Sequence, residues 1–280
     1  YHYFAKMKTE QTGGKRIAKV LGSLMEAHQE QQAYESLVSD LLLWINAKTN
    51  NLNDRHFPNS LEGIQHEMLR FKNFRTVEKP AKYTERGNLE VEFFNIQAKL
   101  KSRGQKMYMP PEGKLIRDIE TAWNKLEKAE HDRELALREE LIRQERLEQL
   151  AEKFERKAAL RESWLNDMLA ILSDQQFGTN TSQVEAALKK HEAISADITS
   201  RKDRFVAFSN MAAELYREHY HAKDSIKKRE TQIITKWKAL MDLLEKKQRA
   251  LTGFHDLLSM FRDIESMMGE LKDIEPSVFS

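Results

Sequence analysis

The chain has 280 residues, of which 40% are hydrophobic and 32% charged, a composition typical of helical proteins with large solvated faces. The absence of cysteine excludes disulfides, thiolate metal sites and cysteine nucleophiles, and no apolar run reaches the roughly 18 residues of a membrane span. The 46 basic and 44 acidic residues leave a net charge of +2, which gives no general reason to expect nucleic acid as a partner.

The chain begins with an aromatic and basic segment, residues 1–8, which is followed by Gly13 and Gly14. Three aromatic side chains in four residues would be costly to leave exposed. We therefore expect this segment to end a neighbouring domain, and the two glycines to break the chain. From Lys15 the apolar spacing predicts a long helix, which the polar stretch 50–58 ends.

Shorter helical segments follow. The spacing predicts a helix over 61–74, an interruption at Pro80 and Gly87, and a further apolar segment over 89–100. The stretch 104–113 contains two glycines and two consecutive prolines, which predicts a turn.

The stretch 114–177 contains neither glycine nor proline over 64 residues. Its apolar residues recur mostly at steps of three and four, the pattern of a helix that packs against other helices. This predicts one uninterrupted helix from about Lys114 to Ser173. Between Glu127 and Arg133 charged residues occupy expected core positions, and we interpret this as the apolar face rotating from one bundle to the next while the backbone stays helical. The remaining chain predicts a turn at 178–182, a helix over 184–220 and another from Ile226 to about Ile274.

The two halves of the chain share a pattern. Six apolar or aromatic positions recur 120 residues later: Tyr34, Trp44, Phe57, Ile64, Met68 and Phe74 correspond to Phe154, Trp164, Phe177, Val184, Leu188 and Ile194. Trp123 and Trp237 are 114 residues apart, so the first half carries about six extra residues between its second and third helices. The repeat predicts two three-helix bundles, with the third helix of the first continuing as the first helix of the second, and all four tryptophans in the cores.

Several stretches resemble the start of the rod in β-spectrins. They are YHYF and KMK from Tyr1, GKRIAKVL from Gly14, YESL and SDLLLWI from Tyr34, TVEKPAKYTERGNLEV from Thr76, RELALREELIRQERLEQLAEKF from Arg133 and VEAALKKHEAI from Val184. The α-actinin rod is similar at Tyr34 to Ile45 and around Trp123. The resemblance implies that 1–14 is the tail of a second calponin-homology domain with its linker, 15–140 a first spectrin repeat and 141–280 a second.

The implied fold is therefore all-α, with tandem three-helix-bundle repeats joined by a continuous helix. The implied role is structural, in the cytoplasm at the cell cortex. The expected partners are the C-terminal repeats of α-spectrin, in an antiparallel heterodimer, and actin filaments through the preceding domain, with the membrane involved only indirectly. An α-actinin-like rod that pairs with itself and a membrane-surface helical bundle are the alternatives.

We expect no catalytic, cofactor or metal site. Paired carboxylates such as Glu139 and Glu140 need a desolvated pocket for acid–base chemistry, and a slender bundle offers none. His191, His219 and His221 lack an obvious convergent ligand, so we expect them to be bonded to backbone rather than to a metal.

The stretch from Arg70 to Lys106 has ten basic and four acidic residues, a net +6, and it coincides with the extra residues of the first repeat. A solvated charged face is the simpler interpretation. The alternative is steering of an acidic surface on an α-spectrin partner. The candidate partner-binding residues are Lys79, Lys82, Arg86, Lys101 and Arg103.

Overall fold

The computed structural model describes residues 1–278, with side chains described through Ile274. Within this range the chain forms seven α-helices and one π-helical turn, as predicted for an all-α fold. The helices are α1 (His2–Asn53), α2 (Leu61–Asn73), α3 (Lys79–Ser102), α4 (Ile116–Ser173), α5 (Thr181–Thr199), α6 (Lys202–Arg217) and α7 (Lys223–Val278). There are two compact units, residues 1–144 and the chain from Glu145 onward, and α4 contributes to both.

The long uninterrupted helix predicted between about Lys114 and Ser173 is confirmed as α4. Its buried apolar side chains belong to two separate cores. Ile119, Trp123, Leu126, Ala129 and Leu137 lie in the core of the first unit, and Leu147, Phe154, Ala158, Leu165 and Leu172 lie in the core of the second.

Polar side chains fill the core positions of α4 where the apolar pattern falters. Glu130 is 8% exposed and Arg133 is 9% exposed. The Arg133 guanidinium donates to the carbonyl oxygens of Asn51 (3.3 Å) and Asp54 (2.8 Å) and to the carboxylate of Glu67 (3.3 Å). Because these bonds reach the last turn of α1, the connection after it and α2, they hold this end of the bundle against α4. The backbone stays helical through the region, as predicted.

The first unit is a bundle of α1, the segment from α2 to α3, and the first half of α4. Its core includes Tyr34, Leu41, Ile45, Ile96 and Trp123, all at most 2% exposed. Trp44 is half-buried and packs against this core.

The predicted break at Gly13 and Gly14 is wrong, because α1 is continuous from His2 to Asn53. A glycine in a helix interior costs only about 1 kcal/mol relative to alanine, so two glycines in a helix of this length do not have to end it. Tyr1, Tyr3 and Phe4 are exposed. The assignment of residues 1–14 to a preceding domain stays a prediction.

The predicted interruption at Pro80 and Gly87 is also wrong. The backbone passes from α2 through a π-helical turn, Phe74–Glu78, directly into α3, whose first turn contains Pro80. Within the π-helical turn the amide of Lys79 donates to the carbonyl oxygen of Phe74, five residues earlier. A π-helical turn shifts the hydrogen-bond register by one residue, so the proline falls where the helix is already rearranged.

The π-helical turn also accounts for one of the extra residues of the first unit. Phe74 and Ile194 are 120 residues apart in the repeat, whereas the buried pairs Leu89 with Phe208 and Ile96 with Leu215 are 119 apart. One additional residue therefore lies between Phe74 and Leu89, where the wider turn absorbs it. The other extra residues precede Trp123, in the connection of residues 103–115 between α3 and α4.

The second unit contains the second half of α4 with α5, α6 and α7. The single helix predicted over 184–220 is interrupted: α5 ends at Thr199 and α6 begins at Lys202. Trp164 and Trp237 are half-buried, with ring centroids 6.3 Å apart. Trp237 stacks on Phe205 at 4.2 Å, whereas the Trp164 ring is tilted against Phe205 at 6.0 Å. The prediction that every tryptophan is a core residue therefore holds in full only for Trp123, because the other three cover the edges of the cores.

Candidate partner-binding surface

The five predicted partner-binding cations fall into two groups on α3 and just after it. Lys79, Lys82 and Arg86 are spaced by three and four residues near the start of α3, so they share one face of the helix. Lys101 and Arg103 lie at its other end, about fifteen residues or 22 Å farther along the helix. The structure does not bring the two groups together.

Lys79 ties α3 to α4. Its ammonium nitrogen lies 2.6 Å from the carboxylate of Glu130 and 3.5 Å from that of Glu127. Glu130 also accepts from Arg75, at 3.1 Å. Only 22% of the Lys79 side chain is exposed, so its charge is largely committed within the bundle.

Lys82 and Arg86 lie over tryptophan rings. The Lys82 nitrogen is 5.4 Å from the Trp44 ring centroid, and the Arg86 guanidinium carbon is 5.7 Å from that of Trp123. Each also pairs with a carboxylate on its own helix: Lys82 with Glu85 at 3.1 Å and Arg86 with Glu90 at 3.8 Å. Cations above aromatic faces gain electrostatic attraction and shield the ring from water. Both residues therefore contribute to the fold as well as to the surface charge.

Lys101 and Arg103 are the most accessible of the five. Both residues are exposed, and Arg103 lies 3.8 Å from Glu26 of α1. Lys101 makes no ion pair with any residue of the described chain. These two cations are the ones best placed to meet a partner.

The sequence analysis missed an acidic groove between α1 and α3 in the same unit. Four carboxylates and one lysine surround an apolar floor that includes Leu37 and Leu89, and the groove encloses about 600 Å³; the charged residues are Glu30, Asp40, Lys82, Glu85 and Glu92. The nearest of these carboxylates from the two helices, Asp40 and Glu85, are 45 residues apart in the sequence, so they meet only in the folded bundle. The +6 of the Arg70 to Lys106 stretch is therefore not one uniformly basic surface.

The loop between α3 and α4 is anchored by Tyr108. The Gln97 side chain accepts from the Tyr108 amide (2.9 Å) and donates to its carbonyl oxygen (2.6 Å), and the Tyr108 hydroxyl donates to Glu35 (2.5 Å). Burial, together with the Glu35 carboxylate, raises the pKa of Tyr108. The adjacent Met107 and Met109 are 51% and 79% exposed. The anchored loop thus exposes two apolar side chains a few residues after Lys101 and Arg103 in the sequence.

Two of the three histidines weighed as metal ligands, His191 and His221, have other partners. His191 is buried and its Nε2 lies 3.0 Å from the Leu244 carbonyl oxygen, as expected for a histidine bonded to backbone. His221 instead lies 2.8 Å from the Glu148 carboxylate. Residues 1–274, whose side chains the structure describes, contain no cluster of three or more potential ligands placed to hold a metal ion. In the same range, no helix combines the length and apolarity required to span a bilayer.

The helical units match a known repeat. The family model described as "Spectrin repeat" matches residues 29–139 and 149–253, more than half of the chain. The chain belongs to the spectrin-repeat family. The two matched ranges lie on either side of the boundary between the compact units at Gln144, and α4 runs through both of them.

The relatives of this spectrin-repeat chain include β-spectrins and α-actinins. The spectrin beta chain of Drosophila melanogaster is 46% identical over 275 residues, which are 98% of this chain and 12% of that protein. The erythrocytic spectrin beta chain of Mus musculus is 42% identical over 280 residues, 100% of this chain and 13% of that protein. Alpha-actinin-1 of Gallus gallus is 37% identical over 259 residues, 92% of this chain and 29% of that protein.

These matches support a segment of the β-spectrin family, as the resemblance predicted, and a cytoskeletal spectrin-repeat rod. Such relatives fit the expectation that the chain is not an enzyme. The chain spans about an eighth of the length of the β-spectrins it matches.

Proposed function

We propose that this chain is a rod segment of a β-spectrin-type actin cross-linker at the cell cortex, which separates an actin-binding head from the rest of the rod and pairs side by side, antiparallel, with α-spectrin. The observation that carries this proposal is the 46% identity to a spectrin beta chain over 98% of the chain. The lower identity to alpha-actinin-1, 37%, makes a self-pairing rod the second candidate.

The continuous helix α4 supports a role in transmitting tension. Side chains from its first half are buried in one core and side chains from its second half in the other. A pull on either unit therefore acts on one unbroken ladder of backbone hydrogen bonds, which resists extension as a single element.

We propose that the exposed cations of the first unit help to select the partner by attracting an acidic surface. Lys101 and Arg103 carry charge that is accessible, whereas Lys79, Lys82 and Arg86 share theirs with nearby carboxylates. Exposed charges mainly steer the encounter with a complementary surface and contribute little to a formed complex. We therefore assign the largest effect on the association rate to Lys101 and Arg103, with Lys82 and Arg86 secondary.

Stopped-flow mixing with the C-terminal repeats of α-spectrin tests this assignment. Lys101→Glu with Arg103→Glu should slow association several-fold in low salt, and the difference should shrink near ~0.5 M salt, where the Debye length is about 4 Å. Adding Lys82→Glu and Arg86→Glu should slow it further. The control is the pair Lys153→Glu and Lys238→Glu, which reverses two exposed cations of the second unit. Equal rates for all variants at low salt would assign these four cations to a solvated face.

Light scattering separates the two candidate functions. A β-spectrin-type segment should form a one-to-one complex with the α-spectrin fragment, whereas an α-actinin-like rod should form a dimer with itself at the same concentration. Sedimentation with anionic vesicles tests the membrane-surface alternative. In that case the chain should pellet together with the vesicles when no other protein is present.

A further inference from the structure

Three arginines lie close together in the second unit without an acidic partner. Arg161 is on α4, Arg201 occupies the position before the first residue of α6, and Arg204 is in the first turn of α6. The guanidinium carbon of Arg201 lies 4.9 Å from the ring centroid of Trp164, which is one helical turn from Arg161 on the same face of α4. We call these three side chains the arginine cluster.

The guanidinium groups of the cluster are hydrogen-bond donors that have no acceptor nearby in the part of the chain that the structure describes. Within the described chain, none of the three guanidinium groups forms an ion pair or a side-chain hydrogen bond, whereas Arg229 in the same unit pairs with both Glu155 and Glu162. The Nε of Arg161 and the indole Nε1 of Trp164 are both buried and without a hydrogen-bond partner. Buried polar groups in folded proteins are almost always bonded, and each orphan group is costly.

Electrostatics inside the cluster are repulsive. Burial and the positive charges of Arg204 and Arg201 lower the pKa of Arg161. Asp203 is the acidic residue in the first turn of α6, but it is exposed and pairs with none of the three arginines. The unit therefore holds three like charges together at a cost, which an anion would remove.

The first unit shows that a bundle of this kind does not require the cluster. There Lys82 lies over Trp44 as Arg201 lies over Trp164, at 5.4 Å and 4.9 Å. Three residues after each cation the two units differ: Lys82 is followed by Glu85, its partner at 3.1 Å, whereas Arg201 is followed by Arg204. The position of Arg161, 120 residues earlier, is occupied by the buried Leu41. The second unit thus has arginines at two positions where the first unit has a leucine and a glutamate.

We propose that the arginine cluster binds the phosphate group of a phosphate monoester. Guanidinium groups present planar pairs of N–H donors that match the oxygens of a phosphate, and the double negative charge of a monoester offsets several cations at once. The Trp164 indole N–H, which is buried and has no partner, is a further neutral donor in the same part of the unit. Arg201 makes no side-chain capping bond at the start of α6, so the positive end of that helix adds to the attraction. The ester can be a free metabolite or a phosphorylated lipid headgroup, because both present the same group.

Binding is measured by NMR on the complete 280-residue chain, titrated with glycerol 3-phosphate at constant ionic strength. The side-chain Nε–H resonance of Arg161 and the indole resonance of Trp164 should shift together and saturate, with a dissociation constant on the order of 1 mM. Arg161→Leu, which copies Leu41 of the first unit, should weaken binding about tenfold or more, because it removes the partly buried cation. Its midpoint of urea unfolding should stay the same or rise, since it relieves repulsion. Arg204→Glu should abolish binding.

The matched control is Arg249→Leu, which removes an exposed arginine of the same unit that is paired with Glu245. It should leave the titration unchanged. Sedimentation with phosphatidylcholine vesicles that contain phosphatidylinositol 4-phosphate identifies the source: pelleting that depends on Arg161 assigns a lipid headgroup, and binding of glycerol 3-phosphate without pelleting assigns a soluble ester. The proposal is overturned if the parent shows no saturable shift at Arg161, or if Arg161→Leu and Arg249→Leu change binding equally.

Discussion

We expect the stability of the chain and the coupled unfolding of its two units to depend on an intact helical backbone at Arg138. The substitution Arg138→Pro tests this. Arg138 is exposed on α4, and its guanidinium lies 2.8 Å from the Glu134 carboxylate one turn earlier. The side chain therefore contributes little to stability. Any large effect of the substitution must come from the backbone.

The expected cost can be divided between backbone and side chain. Proline removes the bond from residue 138 to the carbonyl oxygen of Glu134 and clashes with that carbonyl, which costs about 3 kcal/mol or more in a helix interior. The neighbouring Leu137 is 1% exposed and Glu134 pairs with Arg75 at 3.2 Å, so a kink there also disturbs the first core and an interhelical ion pair. The matched variant Arg138→Ala loses only an exposed pair, about 0.3–0.5 kcal/mol.

Urea unfolding followed by circular dichroism and by tryptophan fluorescence measures both effects. We expect Arg138→Ala to unfold like the parent and Arg138→Pro to unfold at lower urea, with the transition separating into two because each unit then melts by itself. A loss of 3 kcal/mol is a large fraction of the 5–15 kcal/mol typical of a domain, so it lies well outside the error of the method. If the proline and alanine variants had the same midpoint and the same cooperativity, α4 would not couple the units.

Three further outcomes are expected. Trp123→Ala should cost about 3–5 kcal/mol in urea unfolding, and Trp44→Ala roughly half as much because Trp44 is half-buried; equal costs would contradict this assignment of the cores. Arg133→Met should cost about 2–3 kcal/mol, since it removes the buried donor to the Asn51 and Asp54 carbonyl oxygens and to the Glu67 carboxylate, and a neutral effect in the same assay would argue against a structural role for these bonds. Burial, followed by the Glu148 carboxylate, raises the pKa of Tyr220 from 10.0 to about 12. Because the folded state keeps this proton longer than the unfolded state does, stability should fall as pH rises from about 10 to about 12, and Tyr220→Phe should flatten that decline in denaturation curves measured against pH.

The helices themselves could be predicted because their signal is periodic and local. Over 114–177 the apolar residues recur at helical spacing with no glycine or proline, and the observed helix ends at Ser173, where the prediction placed its end. Single residues were less reliable indicators. Gly13, Gly14 and Pro80 were predicted to end helices, but two lie inside α1 and the third follows a π-helical turn, because the surrounding helical residues outweigh a local cost of about 1–3 kcal/mol.

The candidate surface was harder to predict, because a run of basic residues in the sequence does not show which of their charges remain exposed and unpaired on the folded surface. Lys79 was chosen for its place in a basic stretch, yet its carboxylate partner Glu130 is 51 residues away in sequence. Lys101 belongs to the same stretch and has no ion pair within the described residues. The two could not be distinguished before the positions of α3 and α4 were known.

The all-α class, the repeat of about 120 residues and the continuity of α4 follow from the sequence alone, because helical periodicity is a property of residues three and four apart. The folded bundle is needed to know which polar side chains are buried, as at Arg133, which are neutralised across helices, as at Lys79, and which are left without a partner, as at Arg161. The physical reason is that burial and ion pairing depend on the approach of residues far apart in the chain, and a change of one residue in register, such as the π-helical turn at Phe74–Glu78, alters which side chains meet.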